Sequence, residues 1–144
     1  MKKFLKSIII IVLVLVGIKF CNKHFLPRDN HVYSCESLNE RYLSSEVILS
    51  KNSIKKGIKV LNAKAVRSPD YKKFYFVQYK LEIPGKGIVY PMFAMNKPFS
   101  SDSGVIYSMD DLAVSLTGFG DGRKTKANFS EFDRGFSDAK KCLK

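Results

Sequence analysis

Residues 4–20, FLKSIIIIVLVLVGIKF, constrain the chain more than any other stretch, because they decide which solvent the remainder folds in. The uncharged run 7–18 is twelve residues long. As a helix it reaches about 18 Å, against a hydrocarbon core of about 30 Å. With Lys6 and Lys19 snorkelling towards the headgroups, the seventeen residues of 4–20 reach about 25 Å, the low end of a membrane span. The lysine-rich start (Lys2, Lys3, Lys6) before a short apolar core also fits a secretory signal peptide. Cleavage needs small residues at the −3 and −1 positions, and the best pair on offer is Leu15 and Gly17. Lipidation at Cys21 needs a small residue before it, where this chain has Phe20. An uncleaved signal anchor is therefore the favoured reading, and a cleaved signal peptide the alternative. A buried soluble helix fits poorly, since residues 8–16 are apolar on every side and a small domain seldom encloses a helix completely.

The positive charge is spread along the chain. Residues 1–30 hold six Lys/Arg against one Asp, and residues 31–144 hold nineteen against twelve Asp/Glu, within a total of +12. Around the apolar run the cations slightly favour an N-terminus inside. This predicts a single-pass protein of the cytoplasmic membrane with its C-terminal part outside the cytoplasm, or a secreted one if the segment is cleaved. Residues 1–21 are then anchor or signal peptide, 22–31 a tether, and 32–144 one extracytoplasmic domain with room for one modest core.

The cysteines agree with that compartment. Cys35 opens the domain and Cys142 nearly closes it, with none between. Neither has a second Cys or a His at metal-ligand spacing, so a disulfide is expected and a metal site is not. Chain entropy sets the contribution of so long a loop at about 4–5 kcal/mol. The competing reading is two buried thiols in a cytosolic protein. Cys21, at the membrane edge, is left free or able to cross-link a dimer.

The domain reads as α+β: an antiparallel sheet of about four to five strands flanked by N- and C-terminal helices. Ser37-Leu-Asn-Glu40 has capping-box spacing, which predicts a helix over about 36–44, with residues 47–49 extending it or starting an edge strand. From Gly57 the period becomes two and predicts a strand through Arg67; Ser68-Pro69-Asp70 is turn chemistry. In the next strand Tyr75, Val77, Tyr79, Leu81 and Ile83 share one face, while Phe74, Phe76, Gln78, Lys80 and Glu82 share the other. A third strand over 88–95 contains Pro91, which predicts an edge position or a bulge. Residues 105–109 and 112–116 read as one bulged strand or two short ones. A final helix is expected from Ser130, with Phe132, Phe136, Ala139 and Leu143 along one stripe.

The hairpin VLNAKAVRSPDYKKFYFVQYKL, residues 60–81, together with the terminal Cys142, resembles small bacterial and phage envelope proteins or lipoproteins of unassigned function. The resemblance covers about half of the soluble part. It implies an envelope location and this fold, and brings no catalytic residues.

Motifs for chemistry are sparse. Both histidines, His24 and His31, belong to or border the tether, where no catalytic geometry is held. Asp110 and Asp111 are adjacent and, on a strand, would face opposite ways. Gly118, Gly120 and Gly122 lack the lysine-serine partner of a phosphate loop. No cofactor is implied and no catalytic residue is assigned.

What remains is a basic, aromatic surface. Lys55, Lys56 and Lys59 precede the first strand, Lys72 and Lys73 flank the hairpin, Lys80 follows, and Arg123, Lys124 and Lys126 come after the glycine turn. These cations would suit an anionic lipid or envelope polymer; nucleic acid is disfavoured by compartment. Phe74 and Phe76, rimmed by Lys72, Lys73 and Lys80, form a candidate docking pair, the alternative being burial under the 96–104 loop. The leading expectation is a membrane-anchored, non-enzymatic binding domain with an envelope protein partner, in an exclusion, immunity or accessory role. The alternative classes are a small secreted hydrolase with Asp110 or Asp111 as its acid, and an anionic-polymer or lipid-binding module.

Overall fold

The computed structural model describes residues 33–44 and 57–144. The anchor, the tether, Cys21, both histidines, Lys55, Lys56 and the 47–49 run lie outside the described residues. No helix among the described residues is long and apolar enough to cross a membrane.

Among the described residues, six strands form one antiparallel sheet: β1 (Glu36–Ser37), β2 (Lys59–Arg67), β3 (Tyr75–Ile83), β4 (Gly87–Val89), β5 (Met92–Met95) and β6 (Ile106–Ser108). The spatial order is β1-β2-β3-β5-β6, with β4 also paired to β3. The two long strands are the ones whose period-two pattern is strongest, and they pair from Lys59↔Glu82 to Arg67↔Tyr75. A register shift between Val60 and Asn62 turns Leu61 outward, half exposed, and leaves Ala63 and Ala65 facing in.

Pro91 divides the expected third strand. It sits in the gap between β4 and β5, where its carbonyl accepts the Tyr79 amide at 3.1 Å. A residue with no N–H to donate is accommodated by breaking the ladder there, so β5 can lie inside the sheet, between β3 and β6.

Both faces of the sheet are covered. Val77, Tyr79, Leu81 and Ile83 meet Leu38, Tyr42, Ala113 and Leu116 in one cluster. Val66, Phe76, Met92 and Ala94 meet Phe129, Phe136 and Ala139 in the other. Tyr79 donates its hydroxyl to the Tyr42 carbonyl at 2.9 Å, so a fully buried phenol keeps a partner.

Three sequence expectations are corrected. The N-terminal helix is replaced by the edge strand β1 and a 3₁₀ turn, Glu40–Leu43, capped by Asn39 rather than Ser37. Pairing of Glu36 and Ser37 with Ala65 and Lys64 satisfies backbone that a helix would otherwise have used. The 112–116 run is a helix, α1 (Asp111–Leu116), not a strand. Its cap, Asp110, accepts the Ala113 amide at 2.7 Å and also the Met92 amide at 3.0 Å, fixing α1 to the start of β5. The C-terminal helix, α2, spans only Phe136–Ala139. Gly135, its N-cap, has φ of 85° and keeps the helix from beginning at Ser130; a Cβ there would come within 2.9 Å of the Arg67 carbonyl oxygen, so the chain turns sharply against β2. The Ser130 amide donates to the Asp133 carboxylate at 2.6 Å, which closes a turn rather than starting a helix, and Phe132 is left 74% exposed.

Candidate functional site

The two ends of the domain are joined covalently. Cys35 and Cys142 form a disulfide with Cα atoms 5.8 Å apart, spanning 107 positions of sequence. Cys35 lies just before β1 and Cys142 just after α2, so the bond ties the sheet edge to the segment packed over the sheet. Beside it, buried Gln78 on β3 holds the same segment. Its Nε2 donates to the Lys140 carbonyl at 3.0 Å, and its Oε1 accepts the Leu143 amide at 3.2 Å.

Phe76 is wholly buried and is no part of a docking surface. It packs edge-on against Phe136, with ring centroids 5.3 Å apart. Phe74 is half-buried against Phe129 and Tyr107. The C-terminal segment covers both rings. The 96–104 loop, expected to do so, lies over the opposite face, where Tyr42 donates to the Asp102 carbonyl at 2.9 Å and Phe99 meets Tyr75. The alternation along β3 defines its two faces but not what covers each, because covering depends on where the chain returns.

The predicted basic residues divide into two groups. Arg123 is enclosed by carboxylates, with Asp121 at 2.8 Å and Asp111 at 2.7 Å, and Lys124 lies 3.6 Å from Asp121. The hydrogen bonds from Arg123, joined by the nearby lysine charge, hold the Asp121 carboxyl down at about 2, and the Arg123 guanidinium is raised in return. These charges lock the turn after α1 and offer little to a ligand. Lys72, Lys73 and Lys126 are exposed and make no ion pair among the described residues. Lys80, half-buried near the middle of β3, sits apart from them.

A shallow pocket of about 280 Å³ marks the end of the sheet at the β2–β3 turn. It is lined by Tyr33, Arg67, Ser68, Pro69 and Lys72. In the sequence Arg67 reads only as the end of a strand; the pocket brings it beside Lys72.

The carboxylates are engaged in structure. Burial raises the Asp110 carboxyl above its ordinary value, while the Ala113 and Met92 amides oppose that shift. Asp111 lies on Arg123, and Asp70 receives both the Arg134 backbone amide at 2.7 Å and its guanidinium at 2.8 Å. No group of three or more His, Cys, Asp or Glu among the described residues is placed to hold a metal ion.

The class defined by these features is a disulfide-closed α+β domain with a basic end. No protein-family model, curated protein or solved structure matches the chain.

Proposed function

We propose that the chain is a membrane-anchored, extracytoplasmic domain of the cell envelope that acts by binding a partner rather than by catalysis. The observation that carries this reading is the Cys35–Cys142 disulfide. Such a bond persists in an oxidising compartment and is rare in a reducing one, which agrees with the apolar N-terminal segment. The carboxylate geometry supports binding over hydrolysis. Both oxygens of Asp110 face backbone amides and Asp111 is held by Arg123, so neither is poised as a free acid above a cleft.

C-terminal fusions to alkaline phosphatase and to a fluorescent protein test the location. An active phosphatase with a dark fluorescent reporter is expected. A silent phosphatase with a bright reporter would overturn the reading, as would free thiols at both Cys35 and Cys142 in protein taken from its native host.

A further inference from the structure

The end of the sheet at the β2–β3 turn gathers a pocket, several exposed cations and an exposed ring. With Glu36 opposite Ala65, the residues before β1 lie along the end of β2, and Tyr33 and Ser68 both line the pocket. Arg67 and Lys72 line the same pocket, and Lys73 follows on the turn. The Arg134–Asp70 contacts fix the 130–135 turn against this one, which brings Phe132, the most exposed large apolar side chain among the described residues, to the same end. Lys126 is two residues from Asn128, whose carbonyl accepts the Tyr71 hydroxyl at 3.2 Å.

The acids at this end are largely occupied. Asp70 is paired with Arg134, and Asp133 accepts the Ser130 amide. Exposed Glu36 and Glu131 are the other acids near the exposed cations Arg67, Lys72, Lys73 and Lys126, none of which has a carboxylate partner among the described residues.

We propose that this end docks on an anionic phospholipid bilayer, with Arg67, Lys72, Lys73 and Lys126 meeting headgroup phosphates and Phe132 entering the interface. The proposal rests on the membrane-anchored reading above. Charge complementarity selects a polyanionic surface, and one protruding ring amid cations suits the boundary between headgroup and acyl chain. A small cationic patch with one aromatic is a weak ligand in free solution. A chain already held to a bilayer by a ten-residue tether meets that surface at high effective concentration, so weak contacts suffice. Docking would set the orientation of the domain and leave the opposite end, with β4, free for a protein partner.

The chain contains no tryptophan, so Phe132→Trp supplies a single optical probe. The full-length variant is reconstituted into vesicles of phosphatidylcholine alone, or of phosphatidylcholine with phosphatidylglycerol, each with and without brominated acyl chains. The expected result is a blue-shifted emission, quenched by the brominated lipid, in the phosphatidylglycerol vesicles only. Adding Arg67→Gln, Lys72→Gln and Lys73→Gln, all exposed positions, should return the emission to that of water-exposed indole, as should high salt. Emission unshifted and unquenched in every composition would overturn the proposal, and so would an equal shift with phosphatidylcholine alone. Loss of the shift on adding inorganic phosphate at constant ionic strength would assign the pocket to a free anion and also overturn it. Resistance to alkaline carbonate extraction, measured on the same vesicles, reports the anchor separately, so failure of either statement is read without the other.

Discussion

Replacing Gln78 by Met removes both hydrogen bonds that hold the C-terminal segment while keeping an unbranched side chain of the same length. Cavity and overpacking effects therefore stay small. The Lys140 carbonyl and the Leu143 amide lose their partners, and each group left buried and unpaired costs about 1–3 kcal/mol. Lys140 and Leu143 are half-buried rather than sealed, so the lower end applies and the sum is about 2–3 kcal/mol. For a domain of this size that corresponds to a fall in Tm of roughly 8–15 °C. The disulfide controls whether the full penalty is felt. Cys142 lies between the two groups, and while it is bonded to Cys35 the segment cannot lift into water to hydrate them. In a Cys35→Ser, Cys142→Ser background the last residues are free to fray, and the cost of Gln78→Met should drop below about 1 kcal/mol. Thermal and urea unfolding of the full chain in detergent, followed by circular dichroism across the four combinations, measures the coupling. Equal losses in both backgrounds, or a neutral Gln78→Met in the oxidised protein, would refute the reasoning.

Reduction of the disulfide alone should destabilise by up to about 4–5 kcal/mol, because it frees a loop closed across 107 positions; an unchanged Tm in reductant would contradict this. Asp121 has a folded pKa of about 2, below its ordinary value of 3.8. Its pair with Arg123 therefore adds stability above pH 4 that is lost as pH falls from about 4 to 2, and Asp121→Asn should flatten that part of the stability profile. Phe76→Ser should cost at least about 3 kcal/mol and Phe132→Ser within about 0.5 kcal/mol, and similar melting temperatures for the two would misplace the core. Asp110→Ala should cost about 1–2 kcal/mol by freeing the amides of Ala113 and Met92, with faster hydrogen exchange at both as the direct reading.

The parts legible in the sequence are those fixed by local pattern or by elimination. Alternation over 75–83 gave both faces of β3, and pairing with β2 follows from the short turn between them. The disulfide was legible because Cys35 and Cys142 bracket the domain with no second Cys or His at metal-ligand spacing to either. The turn at residues 68–70 was legible for a similar reason, since proline and aspartate favour that backbone on their own.

Elsewhere, contacts distant in sequence decided the outcome. Residues 112–116 are a short apolar run that periodicity cannot assign; they are helical because Asp110 reaches back to Met92 and caps the first turn. The last helix was foreshortened by Gly135, whose left-handed conformation is required by its approach to Arg67 and is invisible in an amphipathic stripe. Phe74 and Phe76 were found on the correct face, yet exposure is a property of what returns to cover a face, and Phe129 and Phe136 return there from more than fifty positions away. The basic end has the same origin. Lysines at 72, 73 and 126 were visible, as was Asp121 beside Arg123 and Lys124, but only the folded chain brings Asp111 onto Arg123 and sets Arg67 beside Lys72 in one pocket, because charge pairing depends on distance in space and a linear order does not specify it.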